Sequence, residues 1–81
     1  MRLTIRLFAR LRDITGVAEM TRDMPAGCTA ADVWEALVAQ FPELSAYNSS
    51  ISTAVNADYA KRTTRLSDND EVAFLPPVSG G

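Results

Sequence analysis

The chain has no histidine and a single cysteine, Cys28. The first absence removes the commonest general base, physiological pH switch and metal ligand. The second excludes an internal disulfide and suits a reducing compartment, so a cytoplasmic location is expected. Without histidine, Cys28 has no base to complete a nucleophilic dyad. It precedes a helix start, where a macrodipole can lower a thiol pKa, but it reads more simply as a small apolar filler. No apolar run approaches the roughly 20 residues that span a bilayer, and Arg2, Arg6, Arg10 and Arg12 interrupt the first apolar stretch, so neither a membrane span nor a secretory leader is expected. Gly16 and Gly27 stand alone and form no phosphate-cradling loop. Asp68, Asp70 and Glu71 cluster without the spacing of a calcium loop; a tight turn with Asn69 in the left-handed conformation accounts for them, and no metal site is expected. Net charge is -2 with a pI near 4.9, which argues against nucleic acid as a partner. The charge is uneven: residues 1–22 hold five arginines against Asp13 and Glu19, whereas residues 23–81 are predominantly acidic.

What is present is the pattern of one small domain. A hydrophobic fraction of 47% over 81 residues supports a single core near the lower size limit for self-sufficiency. Leu3, Ile5 and Leu7 alternate with Arg2, Thr4 and Arg6, the mark of a half-buried strand, with Phe8 anomalously on the polar parity. Ala9 to Gly16 reads as a connection with room for a helical turn, closed by Gly16. Val17 to Met24 reads as a weaker strand with Ala18, Met20 and Met24 on one parity and Arg22 breaking it. Thr29 followed by Asp32 approximates a capping box. Ala30, Val33, Trp34, Leu37 and Phe41 then form an apolar helical stripe that Pro42 stops. Leu44 to Ser50 reads as irregular. Ile51 to Val55 is a strand that turns at Asn56-Ala57-Asp58, Leu66 is a core plug, and Glu71 to Leu75 is the last strand. Helix and strands segregate, so the class is α+β: a small mixed sheet with one main helix across one face.

The last strand runs straight into Pro76-Pro77-Val78-Ser79-Gly80-Gly81, so the division expected is a domain over 1–75 and a flexible tail over 76–81. Each proline fixes its own φ and extends the residue before it. Gly80 and Gly81 lack a Cβ and fit a channel too narrow for other residues. With the side chains offering no catalytic set, the chemistry available is the α-carboxylate of Gly81. A partner using ATP can convert it to an acyl-adenylate, and a sulfur donor can displace AMP to leave a thiocarboxylate.

The segment Asp70-Glu71-Val72-Ala73-Phe74-Leu75-Pro76-Pro77-Val78-Ser79-Gly80-Gly81 resembles the C-terminus of the molybdopterin synthase small subunit, the MoaD family. Leu7-Phe8-Ala9-Arg10-Leu11-Arg12 followed by Thr15-Gly16 is similar to its opening, as is Ala54-Val55-Asn56 before a turn. The departure is Asn69, where the family usually has glycine; asparagine tolerates the left-handed conformation. The resemblance implies a ubiquitin-like β-grasp fold. It implies adenylation and thiocarboxylation of Gly81, with Gly80 beside it, by a MoeB-family enzyme that consumes ATP, no cofactor being bound by the chain itself. It implies docking into a MoaE-family large subunit, typically as a heterotetramer of two small and two large subunits, and sulfur donation to cyclic pyranopterin monophosphate. The chain would then be no catalyst alone. Partner-binding positions implied are Phe8, Tyr59 and Leu75 as an apolar patch, with Pro76, Pro77, Val78 and Ser79 as the stem.

Three alternatives share these features. A sulfur carrier for thiamine or cysteine biosynthesis also ends on two glycines, although the Pro76-Pro77-Val78 stem favours the molybdopterin reading. A protein modifier would be joined through Gly81 to lysines. A plain interaction domain would make no covalent use of the tail.

Overall fold

The computed structural model describes residues 1–77, so Val78, Ser79, Gly80 and Gly81 of the expected tail lie outside the described residues. The elements run β1 (Arg2–Leu7), α1 (Ala9–Thr15), β2 (Glu19–Asp23), α2 (Ala30–Gln40), a 3-10 helix (Pro42–Tyr47), β3 (Ser52–Val55), β4 (Asp58–Ala60) and β5 (Glu71–Leu75). The strands form one sheet in the order β2-β1-β5-β3-β4. The central pair, β1 and β5, is parallel, and every other pairing is antiparallel. With α2 packed on one face, this is the ubiquitin-like β-grasp arrangement.

Alternation in β1 and β5 decides which face is inside. Leu3, Ile5 and Leu7 of β1 and Val72 and Phe74 of β5 are buried and meet Val33, Trp34 and Leu37 of α2 in a single core. Trp34 and Phe74 approach to 5.1 Å between ring centroids, tilted by 55°, a geometry that adds about 0.5–1.5 kcal/mol beyond area burial. The indole N–H, which would be costly to bury unpaired, donates to Asn48 Oδ1 at 2.8 Å. Leu11, Leu44 and Leu66 close the ends of this core.

Local signals position α2. Asp32 N–H donates to Thr29 Oγ1 at 3.3 Å and Thr29 N–H donates to Asp32 Oδ2 at 2.9 Å, a complete capping box. The N–H groups of Ala30 and Ala31 donate to the carbonyls of Thr64 and Arg62, so the first-turn donors are satisfied by the loop before β5. The helix ends at Gln40, ahead of Pro42, where proline stops it.

Three segments differ from the sequence expectations. The connection after β1 is a seven-residue helix, closed by Gly16 at φ 81 with its N–H on the Arg12 carbonyl. The stretch after Pro42, expected to be irregular from Leu44, is a 3-10 helix over Pro42–Tyr47 that buries Leu44. The turn at Asn56 is the tip of a hairpin whose second strand, β4, the sequence did not reveal. Arg22 is not a break in β2: it lies half-buried on the parity of Met20, with its head group donating to Gln40 Oε1 at 2.7 Å, the stem covered and the charge outside.

Two turns anchor the start of β5. Asn69 has φ 70, as expected of the left-handed position, and its N–H donates to the Arg2 carbonyl. The Asp70 carboxylate accepts from Ser67 N–H at 2.8 Å and from Asn56 Nδ2 at 2.9 Å, while Asp68 Oδ1 accepts from Arg2 N–H at 2.7 Å. These carboxylates hold turns together. Asn56 also accepts from Glu71 N–H at 2.9 Å, so one side chain ties the β3–β4 hairpin to β5.

The hairpin turn places Asn56 at φ 50 and Ala57 at φ 72. Such two-residue turns favour glycine at the second position, and alanine there carries a left-handed penalty of about 1–2 kcal/mol. Ala57→Gly is expected to raise stability by about 0.5–1 kcal/mol after the entropy it adds to the unfolded chain, read as an increase of a few degrees in Tm. An unchanged or lower Tm would show that the turn stores no strain.

Candidate functional site

The sheet face opposite α2 carries the predicted docking residues. Cross-strand partners share a face, and the registers align one rung across all five strands: Glu19, Arg6, Ala73, Ala54 and Tyr59. The two central members are alanines and the flanking ones are long, so the rung dips in the middle. The parallel pairing of Leu7 with Phe74 brings the next residues, Phe8 and Leu75, level with each other beside that dip. The result is a depression of about 230 Å³ lined by Arg6, Phe8, Ala54, Ala57, Tyr59, Glu71, Ala73 and Leu75.

The structure therefore gathers Phe8, just after β1, with Tyr59 of β4 and Leu75 of β5 into one surface. Tyr59 is 81% exposed and Phe8 37%, values that leave a large aromatic area facing water next to an alanine floor. Leu75 and Pro76 are half-buried and Pro77 is exposed, so the stem leaves the sheet at the rim of the depression. Phe8 is held out of the core by the bend behind it. Ala9 adopts φ 50, a conformation that costs alanine about 1–3 kcal/mol, and Leu11 N–H donates to the Phe8 carbonyl at 3.1 Å. Val78, Ser79, Gly80 and Gly81, the remaining predicted site residues, lie outside the described residues.

Sequence reasoning missed Arg6, Glu71 and the three alanines of this surface. Arg6 shares the parity of Phe8, and Glu71 and Ala73 that of Leu75, so strand parity could have found them; Ala54 and Ala57 carry no such signal. The Arg6 guanidinium lies 5.5 Å from the Phe8 ring centroid, a cation–π distance, and 3.9 Å from the carboxylates of both Glu19 and Glu71.

The chain matches the ThiS family model over residues 5–81. The chain belongs to the ThiS family. It is 38% identical over 79 residues to the molybdopterin synthase sulfur carrier subunit of Arabidopsis thaliana, an alignment that covers 98% of this chain and 82% of that one. Among solved structures, it superposes on SAMP1 from Haloferax volcanii with a TM-score of 0.87 at 29% identity, covering all of both chains. It superposes on the putative molybdopterin converting factor, subunit 1, from Pyrococcus furiosus with a TM-score of 0.85 at 27% identity, covering 96% and 99%. This ThiS-family chain thus aligns in sequence over nearly its full length with a protein named as a sulfur carrier subunit, and shares its fold with an archaeal protein of the SAMP name and a putative molybdopterin converting factor subunit. Among its described residues no helix is long and apolar enough to cross a membrane.

The only thiol of this ThiS-family chain is built into the core. Cys28 is buried; its N–H donates to the Pro25 carbonyl and its carbonyl accepts from Leu66 N–H. Burial, and secondarily the Asp32 carboxylate, push its pKa above the ordinary value of 9.0. A reactive cysteine needs the opposite shift. Native Cys28 is therefore expected to alkylate much more slowly at pH 8 than the same thiol in the denatured chain. The native rate should climb only as pH rises above the ordinary thiol range. Equal rates, measured by mass spectrometry with iodoacetamide, would mean an accessible thiolate.

Proposed function

We propose that this chain is the sulfur-carrying small subunit of a molybdopterin synthase. The similarity to a molybdopterin synthase sulfur carrier subunit over 98% of the chain carries this reading. In it, a MoeB-family enzyme joins the Gly81 carboxylate to AMP, releasing pyrophosphate from ATP. A sulfur donor then displaces AMP and leaves a thiocarboxylate. The charged chain docks through Phe8, Tyr59 and Leu75 on a MoaE-family large subunit, with two copies of each in the assembly. Pro76, Pro77, Val78 and Ser79 lead Gly80 and Gly81 into the partner's site, where sulfur passes to cyclic pyranopterin monophosphate in the cytoplasm. The small chain supplies recognition and presentation; ATP and the acid–base groups belong to the partners. Its domain division, 1–75 for docking and 76–81 for delivery, follows from these roles.

A second reading is favoured by the likeness to SAMP1, a name that denotes a small archaeal modifier protein. In that reading Gly81 is joined to lysines of target proteins. Denaturing electrophoresis of host extracts separates the two, because only a modifier gives a ladder of conjugates that survives reducing denaturation.

Deleting Gly81, or making Gly81→Ala, is expected to abolish sulfur transfer and leave Tm unchanged; product formation by the deleted chain would sink the carrier reading. In single-turnover assays followed by intact mass, the thiocarboxylated chain alone should not convert the precursor. Adding the large subunit should give one sulfur per charged chain. Phe8→Ala and Leu75→Glu should each weaken large-subunit binding at least tenfold, since a truncated interface anchor costs about 2 kcal/mol or more. A fall in Tm with unchanged affinity would instead make these residues part of the fold alone.

A further inference from the structure

The docking depression has an electrostatic asymmetry that its apolar residues do not explain. Glu19 and Glu71 share one guanidinium, that of Arg6, at 3.9 Å each. Both separations exceed hydrogen-bond length, so Arg6 sits between two carboxylates without closing a short bond to either, while its Cζ lies 5.5 Å from the Phe8 ring centroid. The cluster holds two negative charges and one positive. Glu71 also lines the depression, beside the alanine floor, and its side chain is 38% exposed. When a partner covers Phe8, Tyr59 and Leu75, water leaves this rim, and a carboxylate with only half a counterion is costly to desolvate.

The geometry points to a partner surface that presents an apolar side chain with a lysine or arginine next to it. The apolar group fills the depression, and the cation pairs with Glu71. The volume suits the first part: a cavity of about 150 Å³ admits a benzene ring, and this open depression, with Phe8, Tyr59 and Leu75 as its apolar walls, measures about 230 Å³. The excess carboxylate selects the second part, because a partner acid placed there would meet two like charges. Arg6 is the one cation of the cluster. At 3.9 Å from both Glu19 and Glu71, it can neutralise only one of the two carboxylates and leaves the cluster with a net negative charge. The inference rests on the carrier reading above, with the large subunit as the partner.

The experiment titrates the purified large subunit of the same organism's molybdopterin synthase into four forms of the small chain, at low and at high salt. The forms are wild type, Glu71→Gln, Glu71→Lys and Arg6→Gln, each checked by thermal melt. Glu71→Gln is expected to weaken binding by about five- to tenfold at low salt and to flatten the salt dependence, with Glu71→Lys weaker still. Arg6→Gln removes the only positive charge of the cluster and is expected to raise the association rate and steepen the salt dependence. The opposite signs, with Arg6→Gln weakening binding and the Glu71 variants strengthening it, would mean an acidic partner and overturn the inference. Equal affinities for all four forms would overturn it as well, while leaving the carrier reading intact. No binding by wild type would bring down both.

Discussion

The parallel pairing of β1 with β5 is the constraint on which the rest of the molecule depends. These strands come from opposite ends of the chain and lie side by side at the centre of the sheet. Their register, Ile5 with Val72 and Leu7 with Phe74, places five buried side chains under α2. The same register places Arg6 beside Ala73 and brings Phe8 level with Leu75 on the opposite face. Because side chains alternate with a period of two, a slip of one residue would exchange the two sets. It would put arginine and glutamate into the core and leave leucine, isoleucine and phenylalanine in water. Burial of the inner set, at roughly 1.5–3 kcal/mol for each large apolar side chain, therefore also enforces the geometry of the outer set.

Around that pair the molecule divides its work between two faces. The inner face is covered by α2, whose capping box and whose hydrogen bonds to the carbonyls of Thr64 and Arg62 fix where it starts. Among the described residues, the outer face carries no helix. It presents a floor of small side chains between aromatic and aliphatic walls, and the chain leaves β5 at its rim. This is the surface that the carrier reading assigns to docking. The lone thiol, Cys28, is committed to the core and raised in pKa, so it adds no nucleophile to this face.

The polar staples of the loops serve the same end. Asn56 and Asp70 bind the β3–β4 hairpin to the start of β5 through two side-chain bonds of 2.9 Å, one from Asn56 Nδ2 to Asp70 and one from Glu71 N–H to Asn56. Tyr59 on β4 and Leu75 on β5 are thereby held in one rigid unit, although β4 is only three residues long and lies at the sheet edge. Asn56 adopts the left-handed conformation that the turn requires and supplies both a donor and an acceptor across the gap, a pairing that a glycine in its place would not make.

Much of this was legible in the sequence wherever the signal is local. Strict alternation marked β1, the apolar stripe between Thr29 and Pro42 marked α2, and the aspartate-rich turn marked the left-handed Asn69, because each pattern reflects backbone sterics or hydrogen bonding within a few residues. The segments that escaped lack such a pattern. β4 has three residues and a turn without glycine, the 3-10 helix needs no apolar periodicity, and α1 buries only Leu11. The apolar members of the outer surface, Phe8, Tyr59 and Leu75, stood out in the sequence as exceptions to strand parity or through resemblance to a family. The depression between them did not. It exists because the β3–β5 register sets Ala73 beside Ala54, and an alanine carries no sign of what it will stand next to. Composition and periodicity thus determined β1, α2, β5 and most of the core. Only the pairing of strands distant in sequence decided that the two alanines, the three apolar walls and the Arg6 cluster form one surface, since adjacency across a sheet is a property of register and not of any residue alone.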